Sequence, residues 1–123
     1  MTRYLVLLPA PEAEWAALPP EEHEKGHRAH GRFHRELAAG GHEIVSTSPL
    51  TPSAQATSMR PDGSGGVLIT DGPFAEAAEQ IVGYYLVDVA EPDDFFACCR
   101  RLASSGDHLE IRRLVGRDDE ATS

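Results

Sequence analysis

The sequence predicts an α+β fold of the ferredoxin-like type, with two helices packed on one face of a sheet and an added β-hairpin. Short apolar runs bounded by Pro and Gly predict the strands, and two segments with apolar residues at helical spacing predict the helices. The resulting order, β-α-β-(β-hairpin)-β-α-β, has two helical crossovers on one sheet, which is typical of this sandwich. At 123 residues, the chain is most simply one domain.

The first strand and the first helix have clear boundaries. Residues 4–8 are continuously apolar, which predicts a strand buried on both faces, and residues 9–20 are expected to form a loop. Pro20 suits the first turn of a helix, and the glutamates that follow it place negative charge at the positive end of the helix dipole. This helix is expected to run to about Ala39 and to stop at Gly40-Gly41.

A second strand and a hairpin follow. Residues 42–48 predict the strand, and residues 54–60 are a weaker strand candidate because they are rich in Ala, Ser and Thr. The glycine-rich run 62–66 has the composition of a turn. It would pair residues 54–60 with residues 66–70.

An acidic corner ends the hairpin. Asp71-Gly72-Pro73 breaks the strand because proline lacks the N–H that a ladder needs. Residues 76–80 have room for one helical turn, and residues 81–89 predict the next strand. An aspartate at such a corner is expected where a strand end opens onto a pocket or an interface.

The last helix and strand close the predicted domain. A helix starts at Glu91-Pro92-Asp93-Asp94 and ends at Gly106, and residues 109–114 predict the final strand. The helix carries Cys98 and Cys99 within an apolar stripe, where cysteines are usually inert. The domain is predicted to span residues 1–115, and the polar segment 116–123 to be a disordered tail.

Charge and composition exclude several classes of function. The formal net charge of -9 argues against direct binding to nucleic acid and to anionic membranes. No apolar run approaches the roughly 20 residues that span a bilayer. The two cysteines are adjacent, which disfavours a disulfide framework, so we expect a cytoplasmic protein.

The apolar strands predict a homodimer. Residues 4–8 and 81–89 are apolar at nearly every position, which implies that both faces of the sheet are covered. Two right-handed crossovers place both helices on one face, so a second copy is the simplest cover for the other. The alternative is a monomer in which a loop, 9–20 or 49–60, folds over the sheet.

Four histidines form the most distinctive local pattern in the chain. They lie on the first helix at spacings of four, three and four, namely His23, His27, His30 and His34. A metal site is one interpretation, although no Cys or clustered Asp completes a ligand set. The apolar direction of the helix selects His30 as the histidine that points toward the sheet, and the others are interpreted as a solvated flank.

Several segments resemble the YCII-related family, in particular its DGPF-type branch. They are Asp71-Gly72-Pro73-Phe74, Gly83-Tyr84-Tyr85-Leu86-Val87-Asp88, residues 4–8, His30-Gly31-Arg32-Phe33 and Glu110-Ile111-Arg112-Arg113. The resemblance covers roughly residues 3–114. It implies a ferredoxin-like protomer, assembled into a dimeric α/β barrel.

The resemblance also implies a catalytic pair. Proteins of this type are thought to use a His–Asp pair in a cleft, and the histidine of their first helix corresponds to His30. We identify Asp71 as its partner, because a carboxylate can fix the tautomer of an imidazole that acts as a general base. Two alternatives stay open: Asp71 only caps the short helix at 75–80, or His30 is a structural histidine beneath the sheet.

Two classes of function follow. The first is a small-molecule lyase or isomerase that uses His30 and Asp71 for proton transfer in a dimer cleft, by analogy with muconolactone-isomerase-like enzymes. The second is a non-catalytic ligand- or partner-binding module, because some DGPF-type proteins resemble domains linked to sigma factors. No cofactor and no metal are expected, and a small organic molecule is the expected ligand.

Overall fold

The structure, a computed structural model, describes residues 2–116. Most of the predicted tail at 116–123 therefore lies outside the described residues. The principal elements in chain order are β1 (Thr2–Ala10), α1 (Glu12–Ala17), α2 (Pro20–Ala39), β2 (Glu43–Pro49), β3 (Thr57–Pro61), β4 (Val67–Asp71), β5 (Gln80–Val89), α3 (Pro92–Ser104) and β6 (Glu110–Arg113). A single 3-10 turn, Ser53–Gln55, precedes β3.

Four strands form one antiparallel sheet in the order β2-β5-β1-β6. The long strands β1 and β5 lie at its centre, with Leu5 opposite Leu86 and Leu7 opposite Tyr84. Helix α2 connects β1 to β2 and α3 connects β5 to β6, and in each pair one other strand lies between the two in the sheet, as in a ferredoxin-like sandwich. The predicted α+β fold class is confirmed.

The core lies between the helices and one face of the sheet. Strand β5 alternates, so that Tyr85, Val87 and Val89 are buried while the residues between them are half-buried. Both helices contribute buried residues at helical spacing to this core. They are Ala29, Phe33 and Leu37 of α2 and Phe95, Cys98, Cys99 and Leu102 of α3. Both cysteines are buried, as predicted.

The ends of the long helices follow from their sequences. Helix α2 starts with proline in its first turn and ends at Gly40, and Gly41 then takes a φ of 80°, which glycine tolerates. The Glu91 side chain caps α3 by accepting a hydrogen bond from the Asp94 N–H at 2.8 Å. The predicted extent of α2, from Pro20 to about Ala39, is confirmed.

Neither long helix covers the other face of the sheet, which has an apolar centre and a polar rim. Leu5, Leu7, Tyr84 and Leu86 occupy the centre, since their neighbours along each strand pack against the helices. At the rim, Arg3 forms an ion pair with Asp88 at 2.7 Å. Tyr84 and Tyr85, which are adjacent on β5, therefore lie on opposite faces of the sheet.

Strands β3 and β4 form a separate two-stranded sheet, which confirms the predicted added hairpin. The Asp62 carboxylate holds the turn by accepting from the backbone N–H of Ser64 at 2.8 Å and of Gly66 at 3.0 Å. Every residue of β4 is exposed. The hairpin thus lacks the cover that the four-stranded sheet receives from its helices.

Two local predictions are wrong. Residues 9–20 are not a plain loop, because β1 extends to Ala10 and the short helix α1 follows it. Residues 76–80 do not form the predicted helical turn, because the segment is irregular with bends at 78–79 and β5 already begins at Gln80. Among the described residues, no helix is both long and apolar enough to cross a membrane.

Candidate functional site

The candidate site lies at the middle of α2, where His30 and His34 are one turn apart. Phe33, between them in sequence, is buried in the core, so the two imidazoles flank the buried stripe of the helix. The side chain of His30 is 26% exposed, whereas His34 is an exposed residue. The prediction that His30 points toward the sheet is confirmed by its contact with β5.

Tyr85 joins the two histidines. Its hydroxyl lies 2.7 Å from His30 Nδ1 and 3.1 Å from His34 Nε2. The phenol ring is stacked on His30 with 5.8 Å between ring centroids and meets Phe33 edge-on at 5.1 Å. Burial, together with the nearby Asp107 carboxylate, raises the pKa of Tyr85 to about 12, so its hydroxyl keeps its proton at neutral pH.

Asp107 supplies the carboxylate of the site. Its Oδ2 lies 3.1 Å from His30 Nε2. The chain reaches this position because α3 ends at Ser104 and Gly106 adopts a φ of 116°, which turns the backbone toward β6. A carboxylate on one imidazole nitrogen and a phenol on the other give His30 two fixed partners.

The predicted partner, Asp71, has a different position in the protomer. It is exposed at the end of β4, opposite Thr57, in the β3–β4 hairpin. Because both ring nitrogens of His30 are bonded to Tyr85 and Asp107, Asp71 is not a hydrogen-bond partner of His30 within the chain. The predicted short helix that Asp71 would cap does not form, so that alternative is wrong.

The corner next to Asp71 is nevertheless well defined. Gly72 has a φ of 107° and donates its N–H to the Ala56 carbonyl at 2.6 Å. The Ser58 hydroxyl donates to the Gly72 carbonyl at 2.6 Å, and Ser58 is buried. Bonds to β3 and to the residue preceding it therefore fix the backbone that presents Asp71.

The remaining histidines have separate surroundings. His23 contacts Trp15 with ring centroids 4.4 Å apart, and His27 is exposed. His42 is buried and its ring links two residues: Nδ1 accepts a hydrogen bond from the Ala90 N–H at 3.0 Å, and Nε2 bonds the Asp94 carboxylate at 2.7 Å. Within residues 2–116, no group of three or more His, Cys, Asp or Glu residues could hold a metal ion.

A proton relay is the chemistry that this arrangement can support. His34 is exposed as a residue, but partial desolvation of its ring beside Tyr85 and the nearby His30 lower its pKa. The pKa of Cys99 is raised to about 12 by burial, which makes it a poor nucleophile.

The sequence indicated His30 but did not indicate that Asp107, Tyr85 and His34 form one cluster with it. The available signal was an acid that directly follows the glycine at the end of the last helix.

Two comparisons with known proteins cover nearly the whole described chain. The model of the YCII-related domain matches residues 2–114. An uncharacterised protein of Rhizobium meliloti (strain 1021) is 31% identical over 115 residues, covering 91% of each chain. A match of this extent shows that the chain belongs to the YCII-related family.

Proposed function

We propose that this protein is a small-molecule enzyme of the lyase or isomerase type, with His30 as its proton-transfer group. The observation that carries the proposal is the position of His30 between the Asp107 carboxylate and the Tyr85 hydroxyl. A carboxylate that bonds one imidazole nitrogen selects the tautomer and stabilises the imidazolium that forms when the base takes a proton. The neutral phenol on the other nitrogen can pass that proton.

Asp71 is proposed as a second carboxylate of the same cleft, presented by the hairpin. On the hairpin, Asp71 lies opposite Thr57, and the pair Met59–Ile69 follows two residues along on the same face. Ile69 is 64% exposed and Met59 is 56% exposed, so this face offers an apolar contact beside the acid. In a dimer, the hairpin of one protomer would carry Asp71 to the site of the other.

The proposed dimer uses the face of the sheet that neither long helix covers. Leu5 and Leu86 are paired across β1 and β5, as are Leu7 and Tyr84, which makes a flat apolar centre. Burying such a centre is favourable by roughly 25 cal/mol for each Å² of apolar surface removed from water. The two-fold operation places the same patch on both partners. The expected solution mass is about twice the 13.3 kDa of one chain.

A carbon–hydrogen exchange assay tests the enzymatic proposal. The wild-type protein is incubated in D2O with a panel of small lactones, enol acids and 2-oxo acids, and loss of the exchanging proton is followed by NMR. General acid–base groups contribute roughly 10²- to 10⁴-fold, so His30→Gln is expected to lower the exchange rate of the responding compound by about that factor. Asp71→Asn is expected to lower it while leaving the fold intact.

His27→Gln is the matched control for this assay. His27 lies on the same helix, one turn before His30, and is exposed, so its replacement should leave exchange unchanged. Equal rates in the wild-type protein and in His30→Gln would contradict the catalytic role. A light-scattering mass of one protomer would contradict the dimer independently of any substrate.

A partner-binding module is the second candidate, and the hairpin favours it. Val67, Leu68 and Ile69 are consecutive in β4 and all more than half exposed, as is Phe74 just beyond it. Because side chains alternate along a strand, Val67 and Ile69 lie on one face of β4 and Leu68 on the other, so both faces expose apolar surface that a partner could contact. Tight calorimetric binding to a purified extracytoplasmic-function sigma factor, lost in Ile69→Asp and retained in His30→Gln, would favour this function over the enzyme.

A further inference from the structure

The hydrogen bonds around Tyr85 fix where each proton lies when both imidazoles are neutral. The Asp107 carboxylate only accepts, so His30 Nε2 donates to it across 3.1 Å. His30 Nδ1 is then an acceptor and receives the Tyr85 O–H across 2.7 Å. Because the Tyr85 hydroxyl has given its one hydrogen, its oxygen accepts from His34 Nε2 at 3.1 Å. The three bonds therefore run in one direction, from His34 to Asp107.

We propose that these bonds form a proton wire in which His34 Nδ1 exchanges protons with the ligand and His30, paired with Asp107, holds the charge. The inference rests on the proposed function, which assigns proton transfer to this cluster. In this proposal His34 is the residue that contacts the ligand. Helical spacing alone had predicted that His34 belongs to a solvated flank of the helix.

Access decides between the two histidines. Both nitrogens of His30 have partners, so a ligand could bond its ring only by displacing Tyr85 or Asp107. His34 is exposed and bonds Tyr85 through Nε2. Its Nδ1 has no hydrogen-bond partner among residues 2–116, which leaves an acceptor nitrogen open to a bound molecule.

The transfer is balanced at every atom. A proton that leaves a ligand carbon or oxygen forms a bond to His34 Nδ1, and the Nε2–H bond of His34 breaks as its proton moves to the Tyr85 oxygen. The original Tyr85 proton moves at the same time to His30 Nδ1. Tyr85 and His34 end neutral, and His30 becomes an imidazolium beside the Asp107 carboxylate, where the opposite charge stabilises it.

Imidazole tautomers, read by long-range 1H–15N NMR on the full chain labelled in its histidine rings, test the wire without any substrate. In the wild-type protein above pH 7.5, His30 and His34 are each expected as the single tautomer protonated on Nε2. Asp107→Ala removes the acceptor that orders the wire. His34, which does not bond Asp107, is then expected to become a mixture of both tautomers, with its Nδ1 resonance moving toward the protonated value.

Three controls separate this transmitted effect from a local disturbance. Asp107→Asn keeps an acceptor oxygen beside His30 and should restore the single His34 tautomer. Glu79→Ala removes the carboxylate that bonds His108 at 3.0 Å, so it should change His108 and leave His34 unchanged. His42 is held by Ala90 and Asp94, and its unchanged signal reports that the fold is intact.

Two outcomes overturn the wire: a wild-type His34 that already averages between tautomers, or a His34 tautomer that ignores Asp107→Ala. A fourth variant, Tyr85→Phe, removes the shared hydroxyl and should leave His34 as a mixture of tautomers, while His30 keeps its Nε2–H through Asp107. If the tautomers behave as expected but no compound exchanges protons, the wire stands and the proposed enzymatic function fails.

Discussion

The four-stranded sheet and the β3–β4 hairpin are built from similar residues but have opposite surroundings. Val6 and Val87 in the sheet are fully buried, whereas Val67 in the hairpin is 59% exposed. All three are β-branched residues in regular antiparallel ladders. The difference is that α2 and α3 cover one face of the sheet, and neither covers the hairpin. Strand formation is therefore a local property here, while burial depends on what lies above the strand.

The same contrast separates the two aspartates that bear on the site. Asp107 follows a helix that packs on the sheet, so it inherits a fixed position next to His30. Asp71 lies in the hairpin, whose backbone is ordered by its own bonds but whose exposed face contacts little of the body. An isolated two-stranded hairpin is marginally stable in water, which is consistent with the proposal that a second copy of the chain covers it.

The largest expected effect comes from removing one large side chain in each region. Phe33→Ala empties a fully enclosed site between α2 and the sheet, and such truncations cost roughly 3–5 kcal/mol of unfolding free energy. Ile69→Ala in the hairpin should cost no more than about 0.5 kcal/mol in the protomer, because the side chain is mostly exposed already. Urea denaturation measures both.

Protein concentration sharpens this first prediction. If the hairpin packs against a second copy, the cost of Ile69→Ala should grow with concentration, because the dimer would lose apolar contact that the protomer never had. A cost near that of Phe33→Ala at all concentrations would show instead that the hairpin is buried within its own chain.

Two histidine–carboxylate pairs allow the same comparison of a buried region with an exposed one, here for polar groups. His42 has a fully buried side chain and bonds both the Ala90 N–H and Asp94, whereas His108 is 56% exposed beside Glu79. His42→Ala leaves a buried N–H without its acceptor, and an unsatisfied buried group costs roughly 1–3 kcal/mol. His108→Ala is expected to change stability by no more than about 0.5 kcal/mol, as exposed pairs usually do.

The control for His42→Ala is His42→Asn, whose side chain also offers an acceptor and a donor. Partial recovery of the unfolding midpoint in His42→Asn would assign the loss to the hydrogen bonds and not only to packing. Equal losses of unfolding free energy in His42→Ala and His108→Ala would contradict a stabilising role for the hydrogen bonds of His42.

Most helices and strands could be predicted from the sequence because the residues that start and end each element lie next to it in the chain. Proline at the start of α2 and glycines after it mark the helix, and a run that is apolar at nearly every position marks β5. The candidate site could be predicted only at His30, the histidine nearest the apolar direction of α2. Asp107 and Tyr85 reach it from α3 and β5, 77 and 55 positions along the chain, by the packing of separate elements. Residue spacing does not show that these side chains meet, and the acid directly after Gly106 is the one signal that the sequence offers.

The smallest expected effect is a change of stability with pH that depends on His34. Partial desolvation of its ring and the nearby His30 lower the pKa of His34 in the fold from its ordinary value of 6.5, so the unfolded chain binds a proton at His34 more readily than the folded chain. The stability that neutral His34 allows is therefore present above about pH 6.5 and is lost as the pH falls below it. His34→Gln should lose less thermal stability than the wild-type protein between pH 7.5 and pH 5.5.

His27→Gln should behave like the wild-type protein in the same scan, because His27 is exposed on α2 away from Tyr85. A NMR titration gives the matching site-specific result: the His34 midpoint lies below 6.5 and moves upward in His30→Gln, which removes the neighbouring charge. An unshifted His34 midpoint would mean that its ring is as solvated as the residues of the hairpin. That result would contradict the partial desolvation of the His34 ring beside Tyr85.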